Sequence, residues 1–83
     1  MFQSEIVRWV SKDRWYHAYI VCDLLGDWTV VRRWGGLHNR RGGQKIDHVS
    51  CFDEANAHMK MIERRRRYSH SGYQQVIKPE LVL

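Results

Sequence analysis

Two β-prone segments separated by a Gly-Asp pair constrain the fold of this chain more than any other feature. Residues 15–25 and 28–34 are rich in aromatic and β-branched residues, and Gly26-Asp27 separates them. This pair favours a two-residue hairpin loop, because glycine accepts the positive φ that such a turn requires. We therefore predict an antiparallel hairpin at the centre of the fold.

The register of this hairpin decides which side chains face the core. With a two-residue loop, Cys22 lies opposite Val31, and Tyr19 lies opposite Trp34. One face is then nearly all apolar and is the better candidate for the core: Tyr16, Ala18, Ile20, Cys22, Leu24 and Val31. The other face is mixed aromatic and basic: Tyr19, Val21, Asp23, Trp28, Val30, Arg32 and Trp34. A slip of one residue would exchange the two faces, so the opposite assignment stays open.

The remaining segments predict further strands and one helix. Residues 5–11 are β-prone, and residues 44–49 and 74–77 can form short strands. Residues 50–53 match a capping box, which predicts that a helix begins there. Together these elements predict an α+β fold, in which one α-helix packs on one face of an antiparallel sheet of four to five strands.

The predicted helix has one apolar stripe and a basic end. Phe52, Ala55, Met59 and Ile62 recur at the three- and four-residue spacing of one helical face, which we expect to cover the sheet. Arg64–Arg67 follow in the last turns, where cations oppose the negative end of the helix dipole. Because four consecutive residues spread around nearly the whole helix, these arginines cannot all contact one ligand.

The length of the chain limits it to one domain. With 83 residues there is room for a single core, and we expect one domain over residues 1–83 with its core at about 5–77 and a tail at 78–83. Cys22 and Cys51 form no Cys-x-x-Cys pair, which is typical of thiols in a reducing compartment. No leader or membrane-spanning pattern is evident, so we expect a cytoplasmic protein, associated with the nucleoid if it binds DNA.

The positive charge of the chain is clustered. The formal net charge is +5, yet residues 28–46 alone contain five cations and no anion. Cations next to Trp34 and on the glycine-rich loop Arg40-Arg41-Gly42-Gly43 suit contact with phosphates, and an aromatic ring can stack on a base. The alternative is that Trp34 belongs to the core and the arginines form a solvated rim.

These motifs, taken in order, carry a family resemblance. The matching positions are Tyr16, Gly26-Asp27-Trp28, Val30-Val31, Arg33-Trp34-Gly35, Arg40-Arg41-Gly42-Gly43-Gln44, Phe52-Asp53-Glu54-Ala55 and Gly72-Tyr73. The chain resembles the WGR domain, which occurs in some poly(ADP-ribose) polymerases and in small bacterial proteins, although Gly36 replaces the arginine of the Trp-Gly-Arg motif. The resemblance implies a DNA contact in which Trp34 packs against a terminal nucleotide. The missing arginine puts the signalling role of the larger relatives in doubt.

Other chemistries have weaker support in the sequence. The common catalytic motifs are absent, so we expect no enzymatic activity and no cofactor. His48 and Cys51 form only one closely spaced ligand pair, whereas zinc needs four ligands, so no metal site is predicted. A basic helix end can also lie on acidic lipid, but the Trp- or Leu-rich outer face that accompanies this is missing, and we expect no membrane partner.

The sequence therefore predicts a non-enzymatic module that binds DNA or another nucleic acid without strong sequence specificity. Its predicted contacts are Arg32, Arg33, Trp34, Arg40, Arg41, Lys45, Arg64 and Arg67. The alternative is a protein-interaction module that docks an acidic partner on the same basic surface.

Overall fold

The protein forms one antiparallel sheet with a helix on one of its faces. The structure is a computed structural model, and it describes residues 1–68 and 72–76. The elements in chain order are β1 (Phe2–Gln3), β2 (Val7–Val10), β3 (Arg14–Cys22), β4 (Trp28–Gly36), β5 (Gly42–Val49), α1 (Phe52–Arg67) and β6 (Gln74–Gln75). The strand order is β5-β4-β3-β2-β6, and β1 pairs with the end of β3. The predicted α+β class is confirmed, with six strands instead of four to five.

The loop between β3 and β4 differs from the prediction. Five residues, Asp23–Asp27, connect the strands. Asp23 Oδ1 accepts hydrogen bonds from the backbone N–H groups of Leu25, at 2.9 Å, and Asp27, at 3.0 Å. Gly26 has the expected positive φ of 85°. The carboxylate of Asp23 thus closes a wider turn, and Leu24 and Leu25 extend into solvent instead of continuing the strand.

The wider loop makes the predicted register wrong. Cys22 lies opposite Trp28 instead of Val31, and Tyr16 lies opposite Trp34. The shift of three residues is odd, so it moves every β4 side chain to the other face relative to β3. Val31, which was assigned to the core face, lies on the face away from the helix. The four β4 residues assigned to the open face lie on the same side as the core residues of β3: Trp28, Val30, Arg32 and Trp34.

The core lies between α1 and the sheet face that we call the helix face. Tyr16, Ala18 and Ile20 of β3 are buried there, as predicted. They pack with the helix stripe Ala55, Met59 and Ile62, and with Trp9 and Val30. Burial of one such large side chain contributes about 1.5–3 kcal/mol. The opposite side of the sheet, called the outer face below, is covered by none of the described elements.

The helix stripe is confirmed except at its first residue. Phe52 is 42% exposed, but its ring contacts those of Phe2 and Trp28, with centroids 6.4 and 5.5 Å away. This aromatic group covers the end of the sheet opposite to Gly36. Phe52 therefore packs against the rim of the core and not inside it.

The ends of the helix refine the sequence prediction. Cys51 occupies the N-cap position without a side-chain hydrogen bond, so the predicted box over residues 50–53 is displaced. Glu54 Oε2 instead accepts a hydrogen bond of 2.6 Å from the backbone N–H of Ser50. This bond holds the pKa of Glu54 below its ordinary value. Arg64–Arg67 form the last turn, as expected.

The last predicted elements are only partly described. The strand predicted at 44–49 begins earlier, at Gly42, and the one predicted at 74–77 is formed by Gln74–Gln75. Residue 77 and the predicted tail, 78–83, lie outside the described residues. In the part of the chain that the structure describes, no helix has the length and apolarity needed to cross a lipid bilayer.

Candidate nucleic-acid interface

Trp34 lies flat on the helix face above a glycine of the neighbouring strand. It stands directly opposite Gly43 of β5. A methyl group added at Gly43 would lie 2.8, 3.0 and 3.1 Å from three adjacent indole atoms of Trp34. These nearly equal distances indicate that the face of the ring rests on the glycine. Trp34 nevertheless keeps 37% of its surface exposed, so it is neither a core residue nor a free side chain.

Tyr16 and Arg66 extend this aromatic surface toward the helix. The rings of Tyr16 and Trp34 are nearly parallel, at 13°, with centroids 6.1 Å apart. The guanidinium carbon of Arg66 lies 3.7 Å from the centroid of the Tyr16 ring, and 5.1 Å from that of Tyr73. A guanidinium at this distance is held by cation–π attraction. Arg66 is thus fixed beside the tryptophan with its charge near the sheet.

A cleft opens beside these rings at the glycine-rich end of β4 and β5. Its volume is about 860 Å³, and it is lined by three arginines, Arg14, Arg41 and Arg66, together with Trp34 and other residues. Asp13 is the one carboxylate among its described lining residues. The cleft therefore combines an accessible aromatic ring with an excess of positive charge, which suits a ligand that has both flat rings and phosphates.

Local backbone chemistry shapes the loop that carries Arg40 and Arg41. Asn39 Oδ1 accepts a hydrogen bond of 2.9 Å from the N–H of Arg41. The N–H of Gly36 bonds the carbonyl oxygen of Arg41 at 2.9 Å, which continues the pairing of β4 with the start of β5. Arg41 is thereby positioned at the cleft, and Arg40 is exposed next to it.

The structure separates the eight residues predicted to contact nucleic acid. Trp34 and Arg41 line the cleft, and Arg40 is adjacent in the loop. Arg64 and Arg67 are exposed at the end of α1 and line neither this cleft nor a smaller one between β4, β5 and α1. Arg33 points to the outer face, because it stands opposite His17.

Arg32 and Lys45 belong to a second, smaller cleft of about 270 Å³ between β4, β5 and α1. Arg32 Nη2 lies 2.8 Å from Asp47 Oδ2, and Lys45 Nζ lies 3.8 Å from Asp47 Oδ1. The side chain of Arg32 is only 19% exposed. The charge of Arg32 is therefore matched by a carboxylate, and its geometry is that of a structural ion pair.

The predicted contacts do not include the other arginines of the main cleft, Arg14 and Arg66, or its two tyrosines, Tyr16 and Tyr73. One of them had a readable signal in the sequence. Arg66 continues the buried stripe of Ala55, Met59 and Ile62 by one further helical step, so among the four arginines it is the one directed at the sheet. Tyr16 could be assigned to the core face, but its stacking with Trp34 depends on the true register.

The outer face carries a second tryptophan that lies over a glycine. Trp15 stands opposite Gly35, and a methyl group added there would lie 2.6, 2.7 and 2.8 Å from three adjacent indole atoms. The Trp15 ring is also 4.6 Å from the ring of His17, at an angle of 47°. This face therefore has its own aromatic cluster, independent of the cleft.

A row of basic side chains crosses the outer face beside Trp15. Arg8 on β2 stands opposite His17 on β3, and His17 stands opposite Arg33 on β4. Partial burial, followed by the charges of Arg8 and Arg33, lowers the pKa of His17 from its ordinary value of 6.5. Neither arginine forms an ion pair with any described residue.

Comparisons with known proteins add no identification. No family model, no curated protein and no solved structure is significantly similar to the chain. Among residues 1–68 and 72–76, no three His, Cys, Asp or Glu side chains lie together in an arrangement that could hold a metal ion. The geometry of the cleft and of the outer face is therefore the basis for assigning a function.

Proposed function

We propose that the protein is a non-enzymatic nucleic-acid-binding module that holds DNA or a related nucleic acid in the cleft beside Trp34. One observation carries the proposal: the accessible indole of Trp34 shares a single cleft with three arginines and, among the described lining residues, one carboxylate. Stacking of a base on such a ring contributes about 1–3 kcal/mol and tolerates any base. The arginines supply contacts to the phosphate backbone, which carry no sequence information.

The contacts divide into two roles. Trp34, supported by Gly43 below it and by Tyr16 beside it, presents the stacking surface. Arg41, Arg40 and Arg14 provide cations at the rim of the cleft. Of the other predicted contacts, Arg32 and Lys45 are drawn to Asp47 and contribute less, whereas Arg64 and Arg67 can reach only a ligand that extends along the helix end.

The resemblance to WGR domains is consistent with this proposal and remains a proposal itself. It implies a nucleotide packed against Trp34, which lines the cleft. Gly36 also lines the cleft, so the arginine that the family has at this position would stand in the same wall. Arg41, Arg14 and Arg66 supply positive charge to that wall in this chain.

A titration of fluorescently labelled DNA with the full chain at two salt concentrations tests the proposal. About four phosphate contacts give a slope of log affinity against log salt of roughly −3 to −4 on duplex DNA. Trp34→Leu should weaken binding by about 5- to 100-fold through the lost stacking. A flat salt response, or an unchanged affinity of Trp34→Leu, would contradict the assignment of the cleft.

Matched charge variants separate a local contact from a general loss of charge. Arg41→Gln removes a cation of the cleft, and Lys60→Gln removes an exposed cation of α1 that lines neither cleft. Arg41→Gln should weaken DNA binding several-fold more than the control. Poly-L-glutamate serves as a competitor: if it displaces DNA at equal charge concentration, the alternative function, docking of an acidic protein, is the better one.

A further inference from the structure

The outer face holds positive charge that the described protein does not neutralise. Arg8, His17 and Arg33 stand in one row across three adjacent strands, which spans about 10 Å at the usual strand spacing. Arg8 and Arg33 flank His17 from the two neighbouring strands and are not directly opposite each other. The strand residues of this face include no Asp or Glu, so no carboxylate on these strands competes with an incoming anion for the two arginines.

An aromatic ring lies next to this row. One face of the Trp15 indole rests on Gly35, so its other face is directed away from the sheet. The helix α1 does not cover this side, because it contacts the sheet through the helix face. A flat ring beside cations on an open sheet is a combination that accepts the bases and phosphates of a single strand.

The row is close to the cleft but on the other side of the sheet. Arg33 precedes Gly36, at the cleft, by three residues of β4, a distance of about 10 Å along an extended strand. The edge of the sheet here is β5, which begins with Gly42 and Gly43, and these exposed glycines carry no side chain that would block passage. A flexible single strand can bend around such an edge, whereas a DNA duplex, with a persistence length of about 150 base pairs, cannot.

We infer that Arg8, Arg33 and Trp15 on the outer face form a second binding surface for single-stranded nucleic acid, continuous with the cleft around the glycine edge. The inference rests on the proposed function in one respect, since the same strand occupies the cleft. It adds the class of ligand: single strands use both faces, and a duplex uses the cleft alone. His17, between the two arginines, reports on occupancy of the outer face.

The test compares a labelled oligothymidylate of about 12 nucleotides, within the usual site size of a single-strand binder, with a duplex of the same length. Arg33→Gln should weaken single-strand binding about fivefold and reduce its salt slope by about one. On the duplex it should behave like the control Lys60→Gln. Arg41→Gln should weaken both ligands, since it acts in the cleft.

The ring signals of His17, followed by NMR in the full chain, provide a local readout. Oligothymidylate should shift them, and duplex should leave them unchanged. If Arg33→Gln matches the control and His17 does not respond while Arg41→Gln weakens binding, the second surface is refuted and the proposed function stands. If Arg33→Gln weakens single-strand binding and Arg41→Gln has no effect, the cleft is refuted and the outer face stands.

Two further outcomes would overturn the choice of ligand. Equal weakening of single strand and duplex by Arg33→Gln contradicts the single-strand assignment. Displacement of oligothymidylate by poly-L-glutamate at equal charge concentration, with the same shift of His17, would make the outer face a surface for an acidic protein. An unchanged melting temperature of Arg33→Gln, whose side chain is exposed, excludes unfolding as the cause of a loss.

Discussion

Two tryptophans of this protein lie flat over glycines of a neighbouring strand, but one ring mainly stabilises the fold and the other remains accessible to a ligand. Trp15 covers Gly35 on the outer face, between the neighbouring strands β3 and β4. Trp34 covers Gly43 on the helix face, where β5 forms the edge of the sheet. A glycine opposite an aromatic residue lets the ring lie flat and shields the glycine backbone, which strengthens a weak point of a strand.

The difference between the two lies in what surrounds each ring. Gly35 is buried beneath Trp15, whose surface is partly buried. Gly43 is exposed and Trp34 keeps 37% of its surface accessible beside the cleft. Packing against an interior strand pair thus makes Trp15 mainly a structural residue with one usable ring face. Packing at the edge of the sheet leaves Trp34 accessible to a ligand, and its ring contributes less to the stability of the fold than the Trp15 ring does.

Replacement of each tryptophan by leucine should separate these roles most strongly. Trp15→Leu removes packing over the central strands and is expected to lower the free energy of unfolding by about 2–3 kcal/mol. Trp34→Leu should lower it by about 1 kcal/mol or less, because its ring is more exposed. Urea unfolding followed by circular dichroism measures both. Equal losses of unfolding free energy in the two variants would show that Trp34 at the sheet edge contributes as much to stability as Trp15.

Filling the space beneath each ring gives the next largest effect. At Gly35, an added methyl group must displace the Trp15 indole, and overpacking of this kind costs about 1–3 kcal/mol. Alanine also restricts the unfolded chain, which offsets about 0.5–1 kcal/mol. Gly35→Ala should therefore lose about 1–2 kcal/mol. Gly43→Ala should be nearly neutral, because Trp34 can turn toward the cleft.

Binding measurements on the same glycine variants sharpen the result. If Trp34 turns away from β5 in Gly43→Ala, its stacking surface moves, and affinity for labelled DNA should fall although stability does not. A Gly43→Ala protein that loses as much stability as Gly35→Ala would contradict the comparison.

Much of the fold follows from local sequence patterns, whereas the site depends on a register that those patterns do not settle. The stripe of Ala55, Met59 and Ile62 and the apolar β3 face were predictable, because periodicity reflects burial directly. The loop was not, because Leu24 and Leu25 are apolar yet exposed. The Asp23 carboxylate closes the turn at a position that hydrophobicity assigns to a strand.

The consequence for the site is large because a sheet alternates sides at every residue. Because the predicted register was wrong by three residues, the prediction placed Trp34 opposite Tyr19, whereas the structure has it opposite Tyr16. The predicted set also united Arg32 and Arg33, which are consecutive in β4 and therefore lie on opposite faces in any register. The direction of Arg66 toward the sheet could be predicted from helical spacing, but its contact with the Tyr16 ring could not.

Arg32 and Arg41 test whether a cation paired with a carboxylate behaves differently from one at the cleft. Arg32→Gln breaks a partly buried ion pair with Asp47 and should lower stability by about 1–2 kcal/mol, with little change in DNA affinity. Arg41→Gln should do the opposite and lower affinity by about 1 kcal/mol with little change in stability. Thermal unfolding and fluorescence anisotropy on both variants are sufficient. A large loss of DNA affinity in Arg32→Gln would contradict this division and indicate that Arg32 contacts the DNA.

The smallest effect concerns the outer face alone and depends on pH. Burial, followed by the charges of Arg8 from β2 and Arg33 from β4, lowers the pKa of His17 below 6.5 in the folded protein. The unfolded chain then binds this proton more readily, so the contribution to stability is complete above about pH 6.5 and is lost as pH falls through the lowered pKa.

Unfolding measured from about pH 8 to about pH 5.5 should show this loss in the native protein. The loss should be smaller in Arg33→Gln, where one repelling charge is gone, and unchanged in His48→Gln, whose histidine stands opposite Thr29 on the same face. An equal pH dependence in native protein and His17→Gln would mean that neither burial nor the charges of Arg8 and Arg33 lower the pKa of His17.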